Sequence, residues 1–350
     1  MLNTIDKSKI NIGVAGCSRI SDKHFKAIHS FKELELVSIC ALDKQTLQTH
    51  SDKYSVRSYS DLEEMLINEE LDLVSICTPS GIHSSQAILC AKYGVNVITE
   101  KPMATTWDDG LKMVEACKNS NVKLFVVKQY RQLQTLKLLK QAIEDNRFGR
   151  INMVNLNVFW TRPQEYFDQA SWRGSALMDG GAFMNQASHY VDLLQWLFGP
   201  VAEVGAFMST SLDIETEDTG VLNIKWKNGT LGSMNVTMLT YPKNFEASIT
   251  VIGDKGTVKI GGTAANEIQH WQFSDLKEYD SLISSVNSQT SKTLADGEGH
   301  NMYYKNIIEV FNGNESAETD GEDGLGSLEI LVALNLSAKK NSIIKLPLER

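Results

Sequence analysis

The 350-residue chain is 42% hydrophobic and 22% charged, with 34 basic against 43 acidic residues and a formal net charge of −9. That length and balance suit roughly two globular domains and exclude a disordered chain, a collagen and a disulfide-stapled miniprotein. No apolar run reaches the ~20 residues that cross a bilayer, and an acidic chain without a Lys/Arg cluster is a poor partner for nucleic acid, though a few placed cations can still hold a small anion.

All five cysteines, Cys17, Cys40, Cys77, Cys90 and Cys117, fall in the first third, whereas five of the six tryptophans lie at Trp160 or beyond. The odd count, the lack of a CxxC pair and the polar opening Met1 to Lys9 predict reduced thiols in a cytoplasmic protein.

From Ile10 to about Lys128, Val/Ile-rich runs alternate with helix-like stretches. Strands are expected at Ile10–Ala15, Leu36–Cys40, Leu71–Cys77, Val95–Thr99 and Lys123–Val127, making βαβ units with a parallel sheet covered on both faces. The first strand runs into Gly13-Val-Ala-Gly16-Cys-Ser18-Arg19-Ile20-Ser21. This has the place of a GxGxxG loop, which lets a helix N-terminus face a pyrophosphate, but serines replace two glycines. Taken alone, the loop serves equally well as a plain strand-to-helix turn. An acidic residue that binds the adenosine ribose belongs after the second strand, and Asp43 follows Gly16 by 27 residues. Two later strands end in Thr78-Pro79-Ser-Gly-Ile-His83 and Glu100-Lys101-Pro102. Carboxyl ends of parallel strands are where such sheets bind ligands, so Lys101 is expected beside a nicotinamide rather than on a random surface.

After Gln129-Tyr130-Arg131, a helix with Leu133, Leu136, Leu139 and Ile143 gives way to strands in succession. Ile151–Trp160 alternates with period two, and Leu222–Trp226 with Leu231–Leu239, then Ile249–Ile252 with Thr257–Ile260, read as hairpins. One helix interrupts this α+β half. Within Met178–Pro200, Asn185, His189 and Asp192 fall at i, i+4 and i+7, and so on one stripe of that helix. Asp192 is a ready hydrogen-bond partner for His189 in a purely structural reading. No second histidine stands at i+4, so no metal is expected.

Gly16-Cys-Ser-Arg-Ile, Thr78 to His83, Glu100-Lys101-Pro102, Asp179-Gly-Gly and Asn185-x-x-x-His189-x-x-Asp192 occur in one order that resembles the glucose-fructose oxidoreductase/inositol dehydrogenase/rhizopine catabolism (Gfo/Idh/MocA) family over nearly the whole chain. The resemblance implies an α/β Rossmann domain, residues 1–128, and an α+β domain, 129–350, with a large, mainly antiparallel, open-faced sheet that pairs subunits into a dimer or tetramer. It implies NAD, with Gly16, Ser18, Arg19 and Ile20 under the pyrophosphate, Thr78, Pro79 and His83 flanking the adenosine, and Glu100 and Gln129 at the nicotinamide ribose. Lys101 and His189 match the catalytic pair.

Phe159 to Tyr166, Trp172-Arg173-Gly174, Met184 to His189 and Asn235 to Lys243 are similar to the branch that oxidises the C3 hydroxyl of UDP-sugar uronates for O-antigen synthesis. Arg162, Arg173 and Lys243 are then the cations for a pyrophosphate and a carboxylate, Tyr166 and Tyr241 the rings for sugar or uracil, and Lys101, Asn185 and His189 the groups near the reacting carbon. Three departures stand out: serine at 18 and 21, Ala41 in place of the usual ribose-binding aspartate, and Asn185 where many relatives carry aspartate. NAD is favoured over NADP, with Asp43 as the substitute acid. A dehydrogenase of free sugar or inositol and a non-catalytic NAD-binding sensor are the competing readings.

Overall fold

The computed structural model describes residues 9–287 and 298–349; nearly all of the polar opening lies outside them. Two units divide the chain: Met1–Gln129 with Gly297–Leu325, and Tyr130–Asp296 with Gly326–Arg350.

The first unit alternates strand and helix: β1 (Ile10–Ala15), α1 (Ser21–His29), β2 (Leu34–Cys40), α2 (Lys44–Tyr54), β3 (Arg57–Tyr59), α3 (Leu62–Asn68), β4 (Leu73–Ile76), α4 (His83–Lys92), β5 (Asn96–Thr99), α5 (Trp107–Asn119) and β6 (Leu124–Val126). The strands form one parallel sheet in the order β3-β2-β1-β4-β5-β6. Ile12, Val14, Leu73, Val74, Ile76, Val97 and Ile98 are fully buried, as expected of strands covered on both faces. Side chains of Asp43, Asp61 and Thr106 accept from backbone N–H groups at the starts of α2, α3 and α5, which is why those helices begin there. β3 is absent from the sequence reading; it is three residues long and largely exposed, so no apolar period marks it.

The domain division expected at 128/129 needs a correction in its C-terminal part. The segment 297–325, assigned above to the second domain, belongs to the first. Its helix α9 (Glu298–Phe311) brings Tyr303, Tyr304, Ile307, Ile308 and Val310 into the core formed by Ile12, Val14, Phe25, Ile28 and Ile39. On α1, Phe25 packs against Tyr54 of α2 at 4.7 Å, and α9 adds its own apolar side chains to the same core.

The second unit holds α6 (Gln134–Glu144), β7 (Ile151–Phe159), α7 (Gln164–Phe167), α8 (Ser188–Phe198), β8 (Val201–Ser209), β9 (Thr219–Trp226), β10 (Leu231–Thr237), β11 (Glu246–Gly253), β12 (Gly256–Gly261) and β13 (Glu267–Phe273). It also takes most of α10 (Gly321–Lys340) and the two-residue β14 (Ile344–Lys345). Its sheet runs β13-β12-β11-β7-β10-β9-β8-β14, antiparallel except where β10 lies parallel to β7. Val154, Leu156, Val158, Leu222, Ile224, Trp226, Met234 and Val236 are buried on one face, where the Trp226 indole donates to the Leu194 carbonyl of α8 at 3.2 Å. The other face exposes Met153, Phe207, Val221, Leu231 and Ile252.

Candidate active site

Gly16 has φ of +95°, and a Cβ there would stand 2.8 Å from the Cys77 carbonyl, so glycine is required both by conformation and by space. The two serines that replace glycines tie the loop together. Ser18 Oγ donates to the Cys77 carbonyl at 3.3 Å, and Ser21 Oγ to the Ser18 carbonyl at 2.6 Å. No side chain caps α1, and the loop lies between β1 and β4, where the strand order reverses. A helix N-terminus beside a glycine at a switch point suits a dinucleotide pyrophosphate. Arg19 is exposed and Ile20 half-buried at this loop.

Asp43 is exposed after β2, but its carboxylate is the N-cap of α2, accepting from the Thr46 N–H at 2.8 Å, and hydrogen bonding by the Thr46 side chain and then its N–H holds the carboxyl below the usual range. The substitute ribose acid is thus first of all a helix cap. Thr78 Oγ1 donates to Gln86 Oε1 at 2.6 Å, and Pro79 is half-buried. His83, expected against adenosine, is 1% exposed; its Nδ1 lies 2.9 Å from the Pro102 carbonyl and its Nε2 2.8 Å from the Thr78 carbonyl. A ring so placed fastens two turns to each other rather than presenting an edge to a ligand.

Glu100 is 4% exposed. Its Oε1 is 3.1 Å from both His24 Nε2 and His300 Nε2, and its Oε2 accepts the Lys101 N–H at 3.1 Å. Burial by itself raises its pKa, yet the hydrogen bonds from the two imidazoles hold it well below the usual carboxylate range. The acid expected at the nicotinamide ribose therefore already has both oxygens engaged within the protein. Lys101 follows it, half-buried, before a cis bond to Pro102. Gln129, half-buried, opens a short 3₁₀ turn after β6.

In the second unit, the helix expected across Asn185, His189 and Asp192 is broken. Ala182–Gln186 forms a π turn and α8 begins at Ser188, so the three residues do not share one regular stripe. Asn185 donates instead to the Asp179 carboxylate, which also accepts the Gly174 N–H at 3.0 Å. Asp192 takes Arg131 in a bidentate pair, both contacts 2.8 Å. His189 is buried in the first turn of α8, its ring stacked on Tyr130 at 4.4 Å and 9°. Glu217 caps the π turn, its Oε1 accepting the Phe183 N–H at 2.9 Å. Burial, with Asp179 and Asp218 nearby, pushes its carboxyl up to about 7.

Arg162, Tyr166 and Arg173 meet as the motifs suggest. The Arg173 guanidinium lies 4.2 Å and that of Arg162 5.4 Å from the Tyr166 ring centre, and Gln186 bridges Arg162 Nε and the Tyr166 hydroxyl, each at 3.0 Å. Lys243 and Tyr241 are not part of this cluster; both are exposed, Tyr241 at 95%.

Residues 10–128 match the family model "Oxidoreductase family, NAD-binding Rossmann fold", and residues 140–346 match "Oxidoreductase family, C-terminal alpha/beta domain". The chain belongs to the Gfo/Idh/MocA oxidoreductase family. It is similar to the WlbA dehydrogenase of Bordetella pertussis, solved in complex with NADH and UDP-GlcNAcA, at 50% identity over 99% of this chain and 100% of that one, with a TM-score of 0.96. The WlbA dehydrogenase of Chromobacterium violaceum, also solved with NADH and UDP-GlcNAcA, is 49% identical over 100% and 99% of the two chains, with a TM-score of 0.95. Among curated relatives, myo-inositol 2-dehydrogenase of Thermotoga maritima is 27% identical over 71% of this chain and 74% of its own length.

For this member of the Gfo/Idh/MocA family, sequence reasoning missed Tyr130, Asp179, Gln186 and Glu217 in the second unit and His24 and His300 in the first. Asp179 and Gln186 stand inside motifs already singled out, so their neighbours were a signal. Nothing in the sequence links His300 to Glu100, 200 positions away.

Proposed function

We propose that the protein oxidises the C3 hydroxyl of UDP-GlcNAcA to the 3-keto sugar, reducing NAD, in the cytoplasmic synthesis of an O-antigen sugar. The observation that carries this reading is the whole-length likeness to two dehydrogenases solved with NADH and UDP-GlcNAcA, at 50% and 49% identity. The Arg162–Tyr166–Arg173 cluster supports it, since two guanidiniums around one ring suit an anionic, ring-bearing substrate. Five buried, unpaired cysteines suit a reducing compartment.

Gly16, Ser18, Arg19 and Ile20 would hold the NAD pyrophosphate, and bound NAD supplies the two-electron acceptor. The protein's own part is the proton. An unperturbed imidazole titrates near 6.5 and an ammonium near 10.4, so a neutral lysine at pH 7 needs roughly 4 kcal/mol of bias that an imidazole does not. In this reading the His189 imidazole takes the C3 hydroxyl proton, and the Lys101 ammonium donates to the C3 oxygen as its charge develops. Tyr130, stacked on His189, fixes the plane of the ring. A homo-oligomer completes the proposal, supported by the exposed apolar face of the second sheet.

Incubation with NAD and UDP-GlcNAcA is expected to produce NADH absorbance and the 3-keto sugar. No turnover with UDP-GlcNAcA, but turnover with a free sugar or inositol, overturns the substrate. The pH profile of kcat/KM tests the roles: His189→Asn should lose the acidic limb and Lys101→Met should keep it, and the opposite result reverses them.

A further inference from the structure

The chain has seven histidines, and three of them, all buried, contact the residues flanking Lys101 after β5. His24 comes from α1, the helix that follows the glycine loop; His83 opens α4; His300 comes from α9, in the C-terminal segment that returns to the first unit. His24 and His300 both reach Oε1 of Glu100, with their rings edge to face at 5.0 Å. Oε2 of the same carboxylate accepts the Lys101 N–H. On the other side of Lys101, His83 Nδ1 lies 2.9 Å from the Pro102 carbonyl.

The protonation pattern follows from the partners. Ser75 Oγ and the Tyr304 hydroxyl each lie 2.8 Å from His24 Nδ1, and both can donate there. Burial pushes the His24 pKa down, which favours the neutral ring. A neutral ring accepting at Nδ1 carries its proton at Nε2, aimed at Glu100. His24, Glu100 and His300 are also the one group of three candidate metal ligands among the described residues. A metal there would instead need a lone pair at His24 Nε2, with an Nδ1–H donating to one of these hydroxyls, which accept as well as donate, so metal content decides between the two arrangements.

We propose that His24, His83 and His300 are positioning residues for Lys101. Two imidazoles hold Glu100 ionised and fixed, Glu100 holds the Lys101 backbone through Oε2, and the third imidazole holds the residue after it. The Lys101 side chain then leaves a turn anchored on both flanks, and the C-terminal helix α9 is a required part of that anchor. This rests on the dehydrogenase reading for its kinetic arm and stands apart from it in its structural arm.

The experiment compares His300→Gln, which keeps an amide donor near the Nε2 position, with His300→Asn, which stays polar but falls short, and with His83→Leu. In the NAD-free protein, the Lys101 amide should exchange with solvent about tenfold faster in His300→Asn than in wild type, and near the wild-type rate in His300→Gln. In the assay with UDP-GlcNAcA, kcat should drop on the order of 10–100-fold in His300→Asn and His83→Leu with KM for NAD within about threefold, and His300→Gln should recover most of the rate. Unchanged Lys101 exchange and unchanged kcat in His300→Asn overturn the proposal, as does a stoichiometric transition metal in the purified wild type. Wild type without turnover on UDP-GlcNAcA defeats the substrate reading alone, because amide exchange still decides the anchoring.

Discussion

Arg173 and Glu217 give the most direct tests of individual side chains. Arg173 donates to the Tyr166 carbonyl and to Gln169 Oε1, both at 2.7 Å, while its guanidinium lies against the Tyr166 ring. Arg173→Ala removes a cation and frees that ring, so KM for UDP-GlcNAcA should rise about tenfold, equivalent to about 1.4 kcal/mol, in steady-state assays. An unchanged KM removes Arg173 from the substrate site. Glu217 is buried, and its carboxyl is pushed up from 4.5 to about 7. A folded-state value above the unfolded one means that its stabilising contribution is complete below about pH 4.5 and is lost as pH rises through 7, a loss on the order of 3 kcal/mol. Glu217→Gln mimics the neutral form and keeps an oxygen for the Phe183 N–H. Melting curves from pH 5 to 8 should therefore decline less steeply in that variant than in wild type, and parallel declines would show that Glu217 does not titrate in this range. At this scale the grouping of Arg162, Tyr166 and Arg173 was legible, because two neighbouring motifs carry it, and the roles proposed for Lys101 and His189 rest on their motifs. The partners of Glu100 and Asp192 were not: His300 and Arg131 are 200 and 61 residues distant, and single-sequence spacing carries no signal over such separations.

Among the elements, the π turn before α8 leads directly into the helix that carries His189, the base proposed above. Gly181 enters it at φ +106°, and a Cβ at that position would overlap the Glu217 carboxylate. Gly181→Ala should destabilise the protein by about 1–3 kcal/mol in denaturant titration, with His189-dependent turnover falling further than stability alone explains. A melting point equal to wild type would mean that Glu217 swings clear. Periodicity placed β1, β2, β4, β5 and β7 within two residues of their ends and found both hairpins. It passed over β3, β8, β13 and β14, whose short or exposed runs lack a clean alternation, and it read Met178–Phe198 as one helix because apolar spacing is blind to an i+5 turn. The Arg131–Asp192 pair lies just past that break, both side chains largely buried. Arg131→Leu removes both contacts to the buried Asp192 carboxylate and should lower the denaturant midpoint, at a cost of about 3–5 kcal/mol; an unchanged midpoint would show that the pair does not stabilise the fold.

For the whole molecule, the exposed outer face of the second sheet carries Phe207 and Val221 on adjacent strands, paired with each other in register. Phe207→Glu with Val221→Lys should shift the sedimentation coefficient of the protein to that of a 39.0 kDa monomer. A wild-type protein that already sediments as a monomer refutes the assembly. The two-domain architecture was legible from the change of pattern near Gln129, but the return of residues 297–325 to the first unit was not, since an amphipathic helix does not declare which core it covers.

That return has a consequence for synthesis. A ribosome delivers β1 to β6 early, yet Phe25, Ile28 and Ile39 keep part of their apolar surface uncovered until Tyr303, Tyr304 and Ile307 emerge. At ~5–20 residues per second, the nascent first unit waits roughly ten seconds or longer with an unfinished core. Its exposure to aggregation in the cell thus lengthens with slower translation through residues 130–296.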